Sequence, residues 1–301
     1  MTSDTSGSAA PVDTDETTAP EEVFALLGNE LRMHIVQALF EDPYDPVSFS
    51  TLRERVGERD SGKFNYHLGK LVGRFVRKTD AGYELTLAGW QVAGAILAGT
   101  YTESGTLDPI GLDVPCPRCG GDVELTYVDE RVSVTCLDCD EGLSSAGVAP
   151  GVIDGYDRTE IPAVFEQWMR ALVDQAERGF CVSCSGRVVP DVLVAGDEHP
   201  QLGEIDEPQV TYTCQRCPEI VVLRLTTALL DHPAVVGFHW DHGVDLRTVP
   251  TWSLDWVSDE PVVESTDPLR VRVDVELDGD TLSLVVGDDL TVHEVRDSRG
   301  A

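Results

Sequence analysis

The cysteines are the feature of this sequence that most restricts its fold, because all eight fall in Cys-x-x-Cys pairs with none left over. A Cys-x-x-Cys turn brings two thiolates within reach of one tetrahedral ion, and two such turns complete the coordination shell. Strand-like runs separate the pairs, and this spacing predicts zinc-ribbon-like modules over residues 112–145 and 180–224, with one structural zinc ion each. The expected zinc ligands are Cys116, Cys119, Cys136, Cys139, Cys181, Cys184, Cys214 and Cys217.

Other uses of Cys-x-x-Cys pairs fit this chain less well. Disulfides are rare in the cytoplasm, and a redox pair normally opens a helix after a buried strand, whereas these pairs lie in turns. An iron–sulfur centre is a further alternative. Four thiolates leave no open coordination position, so the expected metal role is structural rather than hydrolytic. We expect sequential pairing of the four turns, although the spacing also permits interleaved pairing.

The charge of the chain is strongly acidic and unevenly distributed. The 54 acidic side chains outnumber the 22 basic ones, for a formal net charge of −32 at pH 7. A chain this acidic and this poor in Lys resembles proteins of salt-in halophiles, in which molar salt shortens the Debye length to ~3 Å. An acidic protein of an ordinary cell is the alternative. Residues 50–80 nevertheless carry eight basic and four acidic side chains, and such a basic island marks a docking place for a polyanion.

The start of the chain predicts neither export nor membrane insertion. Residues 1–20 have no basic start and no apolar run, which is typical of a disordered acidic tail rather than of a signal peptide. No run of about 18 apolar residues predicts a membrane-spanning helix. We therefore expect a cytoplasmic protein without a membrane partner.

Residues 21–105 have the apolar periodicity of a small helical domain. The spacing predicts a first helix over residues 21–41 and a second over residues 51–56. A turn signal at residues 80–82 separates two short alternating runs, which predict a β-hairpin. A fourth helix, residues 88–101, is apolar nearly all round and therefore needs a partner surface.

A third helix is expected over residues 61–75, after an N-cap at Asp60 or Ser61. Its apolar side chains form one buried stripe, and its opposite face is polar and basic. That face and the following hairpin supply the expected DNA contacts, which are Ser61, Lys63, Asn65, Tyr66, Lys70, Arg74, Arg77 and Lys78. For Tyr66 a place at the core edge is an equal alternative, and for Arg77 and Lys78 the alternative is a solvated basic surface.

The order helix, helix, helix, hairpin, helix is that of a winged helix-turn-helix. The segments LGNELRMHIVQAL, SFSTLRERV, NYHLGKL and DAGYELTLAG resemble the first helix, second helix, recognition helix and wing of ArsR-like transcriptional regulators, and most closely their halophilic archaeal branch. Asn65 stands where that family has Ser. The resemblance implies DNA binding by a homodimer that packs through its first and last helices. Because SFSTLRERV contains no Cys, metal sensing at the second helix is not expected.

The rest of the chain predicts an α+β fold without a catalytic signature. Residues 146–179 contain an amphipathic connecting helix, and residues 225–301 read as an antiparallel sheet with a packed helix, whose strands are expected to include residues 251–257. No Ser-His-Asp order, phosphate loop or dinucleotide fingerprint occurs. The His and Asp residues between 231 and 245 could form a metal or catalytic site, but surface and capping roles are favoured.

We therefore expect a dimeric, sequence-specific DNA-binding regulator that is not an enzyme, with double-stranded DNA as its partner and the transcription machinery as a further candidate partner. The alternative is a protein-interaction scaffold in a transcription complex, in which the winged helix and ribbons bind protein. An enzyme that uses the His and Asp residues after Asp231 is a third hypothesis.

Overall fold

The computed structural model describes residues 18–300 of the chain. The predicted acidic tail over residues 1–20 lies outside the described residues except for its last three positions, where Pro20 already begins a helix. The chain divides into two compact units between Thr102 and Glu103. Both units contain helices and antiparallel strands, so the mixed α+β class expected from the sequence is confirmed.

Within residues 18–102, the first unit contains five helices and one hairpin. They are α1 (Pro20–Leu27), α2 (Glu30–Phe40), α3 (Phe49–Arg55), α4 (Ser61–Leu71), β1 (Val76–Lys78), β2 (Tyr83–Leu85) and α5 (Leu87–Leu97). β1 and β2 pair antiparallel, with Val76 opposite Leu85. The core is built around the apolar stripe of α4, where Phe64 and Leu68 are fully buried against Leu52 of α3 and Ile35 of α2.

The first predicted helix is interrupted. The side chain of Asn29 accepts a hydrogen bond from the backbone N–H of Arg32 at 3.3 Å, so Asn29 caps a new helix after Gly28 ends the previous one. The prediction of one helix over residues 21–41 was therefore wrong, because the apolar periodicity continues across the two-residue break and hides it.

The helix α4 begins as expected and ends early. Asp60 is the N-cap, and its carboxylate accepts hydrogen bonds from the backbone N–H groups of Gly62 and Lys63 at 2.8 and 3.0 Å. The predicted end at residue 75 was wrong, because Val72 is extended and Gly73 has a φ of +94°, which turns the chain into the hairpin.

The second unit contains three larger antiparallel sheets within residues 103–300. The elements are β3 (Thr106–Pro115), β4 (Asp122–Val128), β5 (Arg131–Cys136), β6 (Gly142–Gly147), α6 (Pro150–Ile153), α7 (Ile161–Glu177), β7 (Val188–Leu193), β8 (Glu198–His199), β9 (Gly203–Glu204), β10 (Gln209–Cys214), β11 (Ile220–Arg224), α8 (Pro233–Asp241), β12 (Val262–Thr266), β13 (Leu269–Leu277), β14 (Asp280–Val286) and β15 (Val292–Asp297). The strand orders are β3-β4-β5-β6, β11-β10-β7 and β12-β13-β14-β15, and β8 pairs with β9. No helix of the described chain has both the length and the apolar character that a bilayer crossing requires.

Two hydrophobic clusters hold the second unit together, and α7 contributes to both. Ile161 and Phe165, near its start, pack in the cluster under the β3–β6 sheet. Ala176, near its end, belongs to the cluster that joins the β7–β11 strands to the C-terminal sheet, with Phe238 of α8 and Trp256. The predicted connecting helix is therefore a shared part of two cores.

The C-terminal region differs from the prediction in one strand. Residues 251–257 were expected to be a strand but form two 3-10 turns, and the edge strand β12 was not expected. The alternating apolar residues fit either structure. In the observed turns the indole of Trp256 is buried and donates a hydrogen bond to His239 at 3.1 Å. A tight hairpin turn joins β13 to β14, with positive φ at both Asp278 and Gly279.

The close approach of α5 to the hairpin generates a prediction about stability. A Cβ at Gly89 would lie 2.2 Å from the carbonyl oxygen of Phe75, whereas a Cβ at Gly94, on the same helix, meets nothing within 4 Å. Gly89→Ala should destabilise the first unit by about 1–3 kcal/mol through overpacking. Gly94→Ala should instead stabilise it by up to about 1 kcal/mol through helix propensity. Hydrogen exchange of the α5 amides measures both changes, and equal protection in the two variants would contradict the tight contact.

Candidate metal centres and candidate nucleic-acid interface

The first four cysteines converge in what we call the first Cys module, residues 116–147. Cys116 and Cys119 lie on the turn between β3 and β4, whereas Cys136 ends β5 and Cys139 lies on the turn before β6. The Sγ atom of Cys116 is 3.8 Å from that of Cys139, and the Sγ atom of Cys119 is 3.5 Å from that of Cys136. All four sulfur atoms lie within 4.8 Å of one another.

The last four cysteines converge in the same way in the second Cys module, residues 181–224. The Sγ atoms of Cys181 and Cys217 are 3.7 Å apart, and those of Cys184 and Cys214 are 3.5 Å apart. Each module therefore joins consecutive pairs along the chain. The sequential pairing expected from the sequence is observed, and the interleaved alternative is not.

The two modules repeat the same backbone. In the first module Val123 of β4 pairs with Cys136 of β5, and in the second Val188 of β7 pairs with Cys214 of β10. A third strand, β6 or β11, then adds to the other edge of β5 or β10. The repeat is visible in the sequence as two shared patterns, C-x-x-C-x-G-x-V and C-x-x-C-x-E. The sequence prediction used only the cysteines of these patterns.

The shared Gly and Glu of these patterns have visible roles. A Cβ at Gly121 would lie 2.0 Å from the carboxylate of Asp138 on the facing turn, and a Cβ at Gly186 would lie 3.1 Å from the Sγ atom of Cys184. The Glu of the second pattern accepts a hydrogen bond from the facing Cys-x-x-Cys turn. Glu141 accepts a hydrogen bond from Arg118 at 2.6 Å, and the equivalent Glu219 accepts one from Ser183.

The surroundings of the first module favour ionisation of the Cys136 thiol and oppose ionisation of the Cys119 thiol. Burial opposes ionisation of Cys136, but hydrogen bonds from the backbone N–H groups of Asp138 and Cys139 and from the thiols of Cys119 and Cys139 together lower the pKa of this thiol to about 7. The Gly121 N–H favours the thiolate of Cys119, yet the neighbouring thiols of Cys139 and Cys136 raise its pKa to about 12. Thiolates this close repel one another unless a cation lies among them.

The second module shows the same asymmetry. Burial opposes ionisation of Cys214, but the backbone N–H groups of Arg216 and Cys217 lower its pKa to about 6. The Glu219 N–H favours the thiolate of Cys217, but the neighbouring thiols of Cys184, Cys214 and Cys181, together with burial, raise that pKa to about 12. A metal that binds either group must therefore release protons from the remaining thiols.

The distances in both groups fit one tetrahedral ion each. Bonds of ~2.3 Å from an ion to sulfur place the corners of a tetrahedron ~3.8 Å apart, close to the Sγ–Sγ distances of 3.5–3.8 Å. A disulfide requires ~2.05 Å, and all eight cysteines are free. The two four-cysteine groups are thus positioned to bind metal ions.

The eight candidate DNA contacts all lie in the first unit. Five are exposed on α4: Ser61, Lys63, Asn65, Tyr66 and Lys70. Tyr66 is 61 % exposed, and the ammonium group of Lys70 lies 5.5 Å from the centre of its ring. Arg74 is half-buried in the turn after α4, and Arg77 and Lys78 are exposed on β1.

Two of these cations already have acidic partners. Lys63 lies 2.7 Å from Glu58, and Arg77 lies 2.6 Å from Glu84 on the facing strand of the hairpin. The hydrogen bond to Glu58 raises the pKa of Lys63, so this ammonium group stays charged. Exposed pairs of this kind contribute little to stability, but they reduce the positive charge that the surface offers to a polyanion.

Comparison with protein families assigns the second unit. A family model described as "Domain of unknown function (DUF7351)" matches residues 113–292. The chain belongs to the DUF7351 family. A second model, "Domain of unknown function (DUF7347)", matches residues 20–96. Searches of curated proteins and of solved structures found no match. The DUF7351 match spans both Cys modules and most of the C-terminal sheet as one stretch, as the second unit does.

Two histidines of the DUF7351 region are held by contacts within the protein. His239 is fully buried, and its ring bonds to the carbonyl of Val235 at 2.8 Å and accepts from Trp256 at 3.1 Å. His242 pairs with Asp280 at 3.2 Å. Within residues 18–300, groups of three or more metal-ligating side chains form only at the cysteines.

Loss of a single thiol should empty one DUF7351 metal site and spare the other. Cys119→Ser leaves the first module with three sulfur ligands, so the bound metal should fall from two ions per chain to one, since the two groups share no ligand. Ser133→Ala, in the same module but bonded to Ser145 rather than to sulfur, is the control and should retain both ions. Elemental analysis of purified protein measures the content, and loss of both ions from C119S would contradict independent sites.

The close packing of the two turns predicts a second effect. Gly121→Ala places a methyl group against Asp138 and should push the two Cys-x-x-Cys turns apart, which weakens metal binding at the first module by roughly tenfold or more, the usual scale for disturbing the surroundings of a site. Gly111→Ala on β3, where a Cβ meets nothing within 4 Å, is the matched control. Competition with a chromogenic chelator measures the affinity, and indistinguishable curves would be inconsistent with this packing role.

Proposed function

We propose that this chain is a sequence-specific DNA-binding transcriptional regulator that works as a homodimer and contains two structural zinc ions. The observation that carries the proposal is the two-sided character of α4. Its buried stripe fixes the helix on the core, and its outer face presents an amide, an aromatic ring and cations. This face lies in the most basic segment of a chain whose formal net charge is −32.

The order of elements supports a winged helix-turn-helix of the ArsR-like type. Residues 56–60 join α3 to α4, the hairpin β1–β2 follows, and α5 completes the unit. In proteins of this design the second helix of the pair enters the major groove and the hairpin contacts the flanking backbone. α4 takes the first role and β1–β2 the second.

The candidate contacts on α4 and in the segment after it fall into two groups, those that can contact bases and those that can neutralise phosphate charge. Asn65 can form paired hydrogen bonds with adenine, and Tyr66 offers an aromatic face to base edges. Lys70, Arg74 and Lys78 supply positive charge for phosphate contacts. Lys63 joins them only after it exchanges Glu58 for a phosphate.

Zinc is the metal that best fits the two four-cysteine groups. Soft sulfur donors in a tetrahedral arrangement suit zinc, and four protein ligands are typical of its structural sites. Sulfur atoms 3.5–3.8 Å apart leave room for one ion but not for a multi-iron cluster among them. The three-stranded modules then correspond to zinc ribbons.

The apolar surface of α5 supports the homodimer. Leu87 and Leu97 are 76 % and 64 % exposed, and Tyr101, just beyond the helix, is 79 % exposed. In the proposed homodimer these side chains would be covered by the second copy. A twofold pairing would present two α4 helices to successive turns of the duplex.

Removal of two α4 cations should weaken binding to every DNA sequence. Lys63→Ala with Lys70→Ala should lower affinity by up to roughly 60-fold at ~0.1 M salt, because each phosphate contact contributes a slope of about 0.9 to log K against log salt. The slope should fall by about two, and the difference should shrink near 1 M salt. Fluorescence anisotropy with genomic fragments measures both.

The control removes two exposed cations from the second unit, with Arg178→Ala and Arg247→Ala, and should bind DNA as the unmodified protein does. Glu58→Gln should tighten binding, because it frees Lys63 and removes a negative charge. If the K63A/K70A protein bound DNA as well as the unmodified chain, the data would favour a protein-interaction scaffold instead.

A further inference from the structure

The two Cys modules share one backbone but differ in the charge that surrounds their sulfur atoms. Each Cys-x-x-Cys turn can be compared together with the three residues that follow it. In the first module these stretches, residues 116–122 and 136–142, contain one basic and four acidic side chains. In the second module, residues 181–187 and 214–220 contain two basic side chains and one acidic side chain. The sulfur atoms of the first module therefore lie among net negative charge, and those of the second among net positive charge.

Ion pairs do not remove the acidic character of the first module. Within residues 18–300, both ion pairs of this module end on Glu141, which lies 2.6 Å from Arg118 and 2.8 Å from Arg224. The carboxylate of Asp138 instead accepts a hydrogen bond from the backbone N–H of Asp122 at 3.2 Å. A neutral donor of this kind leaves the negative charge of Asp138 in place beside the cysteines.

One position shows the contrast directly, because Asp138 and Arg216 occupy the same place in the two second turns. A Cβ at Gly121 would lie 2.0 Å from the carboxylate of Asp138. At the equivalent Gly186, a Cβ would lie 3.0 Å from the Cβ atom of Arg216 and 3.1 Å from the Sγ atom of Cys184. The two side chains therefore take equivalent places on the facing turn, one as an anion and the other as a cation.

The modules also differ in access from solvent. Cys119 is the one exposed cysteine of the eight, whereas the equivalent Cys184 is half-buried. Gly120, which follows Cys119, has no side chain, and Ser185 stands at the equivalent place in the second module. The Sγ atom of Cys119 is 3.5 Å from that of Cys136 on the facing turn. The first module thus presents to solvent a cysteine that has a second sulfur atom close by.

Charge and exposure act in the same direction once a metal is bound. A divalent ion held by four thiolates is a doubly negative centre, which nearby cations stabilise and nearby anions destabilise. Thiolates bound to metal are already ionised, so a neighbouring cation does not activate them as it would activate a free thiol. The acidic and more exposed first module should therefore react with an oxidant before the basic second module does.

We propose that the first Cys module is a site of oxidation by peroxide, at which Cys119 and Cys136 join in a disulfide while the second module stays reduced. This inference rests on the metal ions of the proposed function. The thiolates of Cys116 and Cys139 alone are too few to retain the ion. Oxidation also reaches the core, because Cys136 belongs to the hydrophobic cluster that contains Phe165 of α7.

The reaction needs only hydrogen peroxide and solvent protons. The Cys119 thiolate attacks one peroxide oxygen, which breaks the O–O bond and gives a sulfenic acid and a hydroxide ion. The Cys136 thiolate then attacks that sulfur, forms the S–S bond and releases a second hydroxide ion. Two protons convert the hydroxide ions to water. Two thiolates thereby lose two electrons in total, and one peroxide molecule gains them.

The test is a peroxide titration of the full chain, loaded with zinc and without DNA. Alkylation of the remaining thiols followed by mass spectrometry gives the state of each cysteine, and a colorimetric indicator follows zinc release. We expect the disulfide between Cys119 and Cys136 and the release of one ion per chain. Both should form at least roughly tenfold faster than any oxidation product of the second module, since the charges around the two centres are opposite in sign.

Exchange of the two contrasting charges gives matched variants. Asp138→Arg should slow oxidation of the first module by roughly threefold or more, and Arg216→Asp should speed that of the second by a similar factor. Each new side chain takes a place that its counterpart already occupies in the other module. Glu276→Arg makes the same change in net charge as D138R on an exposed part of β13, and it should leave both rates unchanged.

Equal rates in the two modules, or earlier oxidation of the second, would overturn the proposal. So would a D138R protein that reacts as fast as the unmodified chain, or an E276R protein that is slowed as much as D138R. The zinc content, measured before peroxide is added, tests the proposed metal ions by itself. Their absence is therefore distinguished from a failure of this inference.

Discussion

Mutual repulsion among closely spaced thiolates is the constraint on which the second unit depends. Four sulfur atoms 3.5–3.8 Å from their neighbours cannot all carry charge unless a cation lies among them. Cys136 and Cys214 are also members of the hydrophobic clusters that hold the sheets and α7 together. A metal at these positions would therefore lie at the edge of a hydrophobic core. It would affect both the charge balance among the sulfur atoms and the packing of the sheets.

The parts of this fold that the sequence predicted well are those that local spacing controls. Cys-x-x-Cys turns need only backbone geometry to bring sulfur atoms together, and the stripe of α4 is a property of one helix. The errors arose where a pattern fits two structures. Apolar periodicity runs across the Asn29 cap, and the alternation in residues 251–257 fits a strand as well as the turns that bury Trp256.

The remaining features could not be predicted because they join distant segments. Glu166 is buried by partners on its own helix and about 85 residues later in the chain. A cavity in the second unit is assembled from both Cys modules, α7 and the segment before β12, so no local sequence pattern predicts it. The acidic partners of Lys63 and Arg77 lie only a few residues away in the chain. A count of charged residues nevertheless shows that acids and bases are present without showing which of them form ion pairs.

The repeated modules differ mainly at the end of the hairpin far from sulfur. The first closes there with the two residues Asp129 and Glu130, whereas the second uses residues 194–208, which include β8 and β9. Because the Cys-x-x-Cys turns hold the opposite end of each hairpin, a longer connection changes the loop-closure entropy by about 0.6 kcal/mol for each doubling of its length. The distal connection is therefore where the two modules differ in length, while the spacing of their Cys-x-x-Cys turns stays the same.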